Sequence, residues 1–116
     1  MLDATRELLS RLPVAILLMR EPGVIVWANP RALTLLGMSL EQISDRLVLD
    51  IVHPEDRRQA ATRVGIIISG DVAPPLLYRV LRPNGVTVEM TAESTTVDID
   101  GETLIATILR DVATTA

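Results

Sequence analysis

The chain has 116 residues, which is enough for one domain with a single hydrophobic core. It is 48% hydrophobic, and its net charge of −4 comes from interspersed acidic and basic residues. We therefore expect neither a nucleic-acid surface nor a membrane span, and a cytoplasmic location is consistent with this composition. The absence of cysteine excludes disulfides, thiolate nucleophiles and cysteine-based metal sites.

The N-terminal segment predicts an amphipathic helix followed by two strands. Leucines at three- and four-residue spacing favour a helix over residues 1–12. Continuous apolar runs, bounded by proline, glycine and charged residues, predict buried strands over 14–19 and 24–28. The only tryptophan, Trp27, falls in the second run, where we expect it to pack against a face of the sheet.

Two short helices are expected after the second strand. Asn29 is a favourable N-cap and Pro30 suits the first helical position, so a helix should follow over 31–36. Gly37 suits the left-handed conformation that ends a helix. The sequence Ser39-Leu40-Glu41-Gln42 matches a capping box and predicts the start of the second helix.

A longer helix is predicted from Pro54 to about Ser69. Glu55 and Asp56 complement the positive end of its dipole. His53 either titrates as a pH switch or caps this helix locally, and we favour the cap. The apolar face of the helix is expected to consist of Ala60, Val64, Ile67 and Ile68. Its solvent face is expected to consist of Arg57, Arg58 and Arg63.

The last third of the chain predicts three strands joined by two hairpins. A three-residue loop at 83–85, with Gly85 in the left-handed position, places Arg79 opposite Glu89. The same register places Leu76, Tyr78 and Val80 opposite Ala92, Met90 and Val88. A three-residue loop at 99–101 would place Leu104, Ala106 and Ile108 opposite Thr96, Ser94 and Ala92. Because no βαβ alternation appears, the fold class is α+β with an antiparallel sheet.

From about Leu8 to Asp111, these landmarks together resemble the PAS family of sensory domains. The matching segments are Asn29-Pro30, Leu35-Leu36-Gly37, the run Val-His-Pro-Glu-Asp-Arg at 52–57, Tyr78-Arg79 leading to Asn84-Gly85, and Arg110-Asp111-Val112. The hairpin commonly reads Lys-Asp-Gly in the family, where this chain has Pro83-Asn84-Gly85. The resemblance implies a five-stranded antiparallel sheet, with short helices and one longer helix on one face and the N-terminal amphipathic helix in addition.

The resemblance also implies a domain organisation and structural residues. The helix over 1–12 would serve dimerisation or capping, 13–112 would form the PAS domain, and 113–116 would begin a linker to a missing output domain. The residues expected to have structural roles are Asn29, Pro30, His53, Pro54, Arg79, Gly85 and Glu89.

The cofactor classes of the family can be narrowed by residue type. The light-sensing flavin class and the photoactive dye class need a cysteine, and the oxygen-sensing class typically uses a histidine on the long helix. We therefore expect no such cofactor, which leaves an empty interior or a pocket for an unidentified small apolar ligand. The expected lining is Leu36, Val64, Ile67, Ile68, Met90, Ala92 and Ser94. The Ser94 hydroxyl either orients a ligand or bonds a carbonyl or a buried water.

The resemblance implies a signalling module and not an enzyme. We expect a homodimer, with Leu2, Leu9 and Leu12 at its interface, although these leucines also suit closure of the monomer core. The output domain would be a histidine kinase, a cyclase or a transcription regulator of a bacterial signalling system. The alternatives are a ligand-free interaction module and a small isomerase-like enzyme, which would need a buried carboxylate or tyrosine.

Overall fold

The computed structural model describes residues 3–112, and it has the element order expected from the sequence. The helices are α1 (Asp3–Arg11), α2 (Pro30–Leu36), α3 (Leu40–Ile43) and α4 (Arg57–Ile68). The strands are β1 (Ala15–Arg20), β2 (Val24–Ala28), β3 (Leu76–Leu81), β4 (Thr87–Ile99) and β5 (Glu102–Asp111). Two 3-10 turns, Val48–Ile51 and Pro54–Asp56, precede α4. Leu2 and the predicted linker 113–116 lie outside the described residues.

The five strands form one antiparallel sheet in the order β2-β1-β5-β4-β3. The predicted α+β fold is therefore confirmed. Helices α2, α3 and α4 cover one face, which we call the inner face, whereas α1 lies over the opposite, outer face. Within residues 3–112, no helix combines the length and the apolar character that a membrane crossing requires.

Both faces of the sheet are apolar, and β1 shows this most clearly. Its residues alternate between the two sides, and all but the last are buried. Leu17 and Met19 join the inner core, whereas Ile16 and Leu18 join a smaller outer cluster. Trp27 belongs to the outer cluster, as expected for packing against the sheet. The outer cluster consists of Ile16, Leu18, Trp27 and Leu104, with Leu9, Val97, Ile99, Ala106 and Ile108 among the partly buried residues around it.

Asn29 joins the start of α2 to β1 and α1. Its Oδ1 accepts hydrogen bonds from the backbone N–H groups of Ala32 and Ile16, each at 3.0 Å. Its Nδ2 donates to the carbonyls of Leu9 (2.9 Å) and Val14 (2.7 Å). The side chain is fully buried, so all its bonds are shielded from water. One amide therefore caps a helix and also holds the end of α1 against the sheet.

The register between β3 and β4 is the one predicted from the sequence. Tyr78 pairs with Met90, and Arg79 lies opposite Glu89. Arg82 N–H donates to the carbonyl of Val86 at 2.9 Å and so closes the hairpin. The side chain of Arg79, however, forms its ion pairs with Asp56 and Glu55 at the start of α4.

The predicted register between β4 and β5 is wrong by one residue. Asp100 and Gly101 form a two-residue turn with positive φ values of 53° and 78°, and Ile99 pairs directly with Glu102. Such a turn follows the natural twist of a hairpin, and Asp-Gly is one of its preferred sequences. A shift of one residue inverts every side chain. Leu104, Ala106 and Ile108 therefore lie on the outer face, opposite Val97, Thr95 and Glu93.

We expect Asn29→Ala to lower the free energy of unfolding by about 3 kcal/mol, because it removes a helix cap and leaves buried backbone groups without partners. Urea unfolding measures this change. Asn29→Asp keeps the accepting oxygen but not the donors to Leu9 and Val14, so it should also destabilise the fold. Asn84→Ala, in the exposed β3–β4 loop, is the control. A loss no larger for Asn29→Ala than for the control would contradict this role.

Candidate functional site

A small cavity lies between α4 and the inner face of the sheet. Its volume is about 20 Å³, which is enough for about one water molecule. Apolar side chains form most of the wall: Leu17, Met19, Val48, Val52, Ala60, Val64 and Leu76. The remaining wall is polar and consists of Arg63, Tyr78 and Thr107. The cavity thus has an apolar side and a polar side.

Arg63 corrects a prediction, because its side chain is buried rather than solvated. The residue is only 9% exposed. Its Nε donates to the carbonyl of Pro74, one terminal nitrogen donates to Ser94 Oγ, and the other donates to the carbonyl of Ala92, each at 3.0 Å. Burial lowers the pKa of Arg63. Every acceptor is neutral, and within residues 3–112 this guanidinium forms no ion pair.

The sequence does contain a signal for this position. Arg63 follows Ala60 by three residues and precedes Ile67 by four, and this spacing places all three on one face of α4. Ala60 and Ile67 are buried with it. The charge of Arg63 favours the solvent face of α4, whereas its helical spacing favours the buried face, and the spacing prevails.

Two hydroxyls extend the polar side of the cavity. Ser94 Oγ lies 2.8 Å from Thr107 Oγ1, so Arg63, Ser94 and Thr107 form a continuous chain of hydrogen bonds across α4, β4 and β5. Thr107 is 3% exposed and faces inward because of the corrected register. Sequence reasoning missed this residue, since the wrong register placed its neighbours on the inner face.

Tyr78 contributes the third polar group. It is 8% exposed, and burial raises the pKa of its hydroxyl to about 12, whereas the nearby Arg63 charge lowers it. Within the described part of the chain, the Tyr78 hydroxyl has no hydrogen-bond partner. The cavity is therefore bordered by a cation and a protonated phenol, each able to donate a hydrogen bond.

The structure separates the residues predicted to line a ligand pocket. Val64 lines the cavity, and Ser94 bonds to Arg63 at its edge. The others lie in or against the inner core around it: Leu36, Ile67, Ile68, Met90 and Ala92. Contact between any of these residues and a ligand stays a prediction.

A second concave feature lies on the outer face, between α1 and strands β4 and β5. This outer groove has a volume of about 480 Å³, and its apolar wall includes Leu9, Leu18, Val97, Ile99 and Ile108. No residue of α1 is fully buried. Leu8 is 60% exposed and Leu12 is 37% exposed.

The start of α4 is fixed by an ion-pair cluster. The guanidinium of Arg79 bonds to both carboxylate oxygens of Asp56 at 2.9 and 3.0 Å, and its backbone N–H donates to Asp56 Oδ2 at 2.8 Å. These bonds lower the pKa of Asp56 to about 2. His53 Nδ1 accepts a hydrogen bond from Glu55 N–H at 3.1 Å, which is the local cap favoured from the sequence.

Comparison with known proteins identifies the family. The family model described as PAS fold matches residues 25–108, and the chain therefore belongs to the PAS family. Domains of this family are generally sensory modules and not enzymes. No curated protein matches the chain.

Three solved structures illustrate the likeness of fold. The PAS domain of an HTR-like protein from Haloarcula marismortui is 20% identical, with a TM-score of 0.76 over 95% of this chain and 90% of that chain. A Rhodobacter sphaeroides LOV protein is 15% identical, with a TM-score of 0.82 over 99% and 71%. The PAS-B domain of Drosophila melanogaster Cycle, with bound ethylene glycol, is 14% identical, with a TM-score of 0.72 over 84% and 98%.

The Asp56–Arg79 pair should make stability depend on pH in acid. Because the folded-state pKa of Asp56, about 2, lies below its ordinary value of 3.8, this contribution is fully present above the ordinary value. It is lost as pH falls toward 2. In urea unfolding across this range, Asp56→Asn should lose less stability than wild type. Asp50→Asn, which removes an exposed carboxylate, should retain the wild-type slope, and equal slopes in all three proteins would contradict the assignment.

Tyr78 is the only tyrosine, so its titration can be read directly. Tyrosinate absorbance of the folded protein should be half-maximal near pH 12, compared with about 10 for the unfolded chain in urea. Because the folded pKa is raised, the associated stability is present below the unfolded pKa and is lost as pH rises toward 12. Circular dichroism identifies the pH range in which the fold persists. Formation of tyrosinate near the unfolded value in folded protein would disprove burial of this hydroxyl.

Proposed function

We propose that this chain is the sensory module of a bacterial signalling protein. It associates as a homodimer in the cytoplasm and binds a small ligand in its interior. It thereby regulates a covalently attached output domain, such as a histidine kinase, a cyclase or a transcription regulator. It has no catalytic activity of its own.

The observation that carries the homodimer is the incomplete cover of the outer face. Helix α1 contacts the outer groove through Thr5 and Leu9 but leaves Leu8 and Leu12 exposed. Apolar area left open on both the groove and the helix favours a second copy of the same chain, since each copy then offers both surfaces. In this arrangement, Leu9 packs on its own sheet while Leu8 and Leu12 reach the partner. Leu2, also predicted at the interface, lies outside the described residues.

The attachment of α4 to strand β4 supports a sensory role. Arg63 ties α4 to the Ala92 carbonyl and the Ser94 hydroxyl of β4. Every residue of β5 is paired with β4. Val112, just after β5, donates its N–H to the Glu89 carbonyl of β4 at 3.2 Å. A ligand that shifts α4 would thus act on the strands that lead to the output domain, as a shift between two populated arrangements.

A ligand-free interaction module is the second candidate, and one observation favours it. The interior cavity, at about 20 Å³, is too small for any molecule much larger than water unless α4 moves. An isomerase-like enzyme has less support. Tyr78 is buried, but within residues 3–112 the buried polar or charged side chains beside it are those of Asn29, Arg63 and Thr107, with no carboxylate among them.

Native mass spectrometry of the purified chain tests the assembly and any retained small molecule together. We expect dimers for wild type and monomers for Leu8→Asp, since this substitution places a charge in an apolar interface without disturbing the monomer core. Val72→Asp is the matched control, because Val72 is 94% exposed in the loop before β3, away from the outer groove. A monomeric wild type, or a dimer that persists in Leu8→Asp, would disprove this interface.

A further inference from the structure

The buried guanidinium of Arg63 lacks a negatively charged partner. Its three hydrogen bonds go to two backbone carbonyls and one hydroxyl, and none of these groups carries charge. A buried cation is stable only when it is paired or fully hydrogen-bonded. A guanidinium has five N–H groups, so two remain after these three bonds. Those two N–H groups have no acceptor within residues 3–112.

The carboxylate of Glu93 acts on Arg63 only through its charge, which opposes the lowering of the Arg63 pKa by burial. Glu93 adjoins Ala92, but its side chain points to the outer face, where it pairs with Arg110 at 2.6 Å. Both side chains of that pair are about half exposed. The chain therefore places a buried cation beside an interior cavity, and no carboxylate of residues 3–112 forms an ion pair with it.

Tyr78 provides a second polar group at the cavity that Arg63 lines. Its side chain lines the cavity with Arg63, and the residue is mostly buried. Its hydroxyl forms no hydrogen bond in the described part of the chain, and the hydroxyl oxygen is not fully buried. A phenol and a guanidinium that border one cavity can both donate to a single acceptor placed between them. Carboxylate oxygens accept such bonds strongly, because a charged acceptor roughly doubles the strength of a hydrogen bond.

Apart from Thr107, the rest of the cavity wall is apolar. A ligand bound there should therefore have an apolar part as well as a polar end. Val64 and Leu76 are the partly exposed members of the wall, whereas its other apolar residues are fully buried. Beside them, residues 69–75 form the irregular loop between α4 and β3. A ligand that moves α4 away from the sheet would therefore extend the cavity most readily beside Val64 and Leu76.

We propose that Arg63 and Tyr78 form the anion-binding end of the interior site, and that its ligand is a monocarboxylic acid with a short apolar chain. The carboxylate bonds to the free N–H groups of Arg63 and to the Tyr78 hydroxyl. The apolar chain lies toward Val64 and Leu76 and separates α4 from the sheet. This inference rests on the proposed sensory function and names the chemical class of the ligand.

Calorimetric titration of the full chain with hexanoate, hexan-1-ol and hexylamine tests this site. The three probes share an apolar chain and differ in charge. We expect saturable binding of hexanoate that is at least tenfold tighter than that of hexan-1-ol, with no binding of hexylamine, since a hydrogen bond to a charged group is worth about one to two orders of magnitude in affinity.

Variants locate the binding within the chain. Arg63→Met should abolish binding of hexanoate, and Tyr78→Phe, which removes only an unpaired hydroxyl, should weaken it about tenfold. Arg58→Gln removes the same charge from the exposed side of α4 and should leave the affinity unchanged. If Arg63→Met does not fold, the Tyr78→Phe affinity and the shift of the Arg63 Nε–Hε resonance in wild type provide the test.

The outcomes separate this inference from the proposed function. Equal affinity for hexanoate and hexan-1-ol, or tighter binding of the alcohol, overturns the anion site and leaves an apolar ligand in place. Binding that survives in Arg63→Met, or that is lost equally in Arg58→Gln, also overturns it. If none of the three probes binds to wild type, this inference and the ligand half of the proposed function both fail, whereas the dimer is judged separately by mass spectrometry.

Discussion

A sheet that is apolar on both faces is the constraint on which this structure depends. Strand β1 contributes alternate side chains to the inner core and to the outer cluster, and nearly all of them are buried. Each face must therefore be covered, because exposed apolar area of this extent is unfavourable in water. Helices α2, α3 and α4 cover the inner face completely. The outer face has only α1, a nine-residue helix with no fully buried residue.

Both covers are attached to the sheet by polar bonds as well as by packing, α1 through Asn29 and α4 through two separate contacts. Helix α4 is attached to the sheet by polar bonds as well as by packing, through Arg63 near its middle and through the Asp56–Arg79 pair at its start. The Asp56–Arg79 pair is partly exposed, and the guanidinium bonds to both carboxylate oxygens. The Arg63 attachment is buried, and all its acceptors are neutral. A negatively charged ligand bound in the interior would therefore affect it more than the Asp56–Arg79 pair.

The sequence was sufficient to predict local structure and most of the topology. Helix ends were predictable because they depend on local bonds. The side chains of Asn29 and Ser39 cap the starts of α2 and α3, and Gly37 ends α2 in the left-handed conformation. The β3–β4 register follows from alternation together with loop length, since the three-residue loop places Tyr78 and Val80 on the same face as Met90 and the two-residue loop does not.

The errors arose where two signals conflicted. Asp100-Gly101 favours a two-residue turn, whereas the apolar character of Leu104 and Ile108 favours a register that places them on the inner face. The turn determines the register, because the outer face is also apolar and accepts both side chains. At Arg63, charge suggested solvent, whereas helical spacing indicated the interior. The cavity itself could not be predicted, because its position depends on how far α4 stands from the sheet, which no local pattern encodes.

The attachment of α1 has a mechanical consequence. Asn29 holds the last turn of α1 through the Leu9 carbonyl, and it also begins α2 and bonds to β1. Helix α1 is roughly 13 Å long, and its first turn has no buried side chain. A tilt of α1 by about 10° about the Asn29 side chain would move the N-terminal end of the helix by roughly 2 Å. A displacement of the start of α2 would thus reach the opposite side of the sheet through the Asn29 side chain.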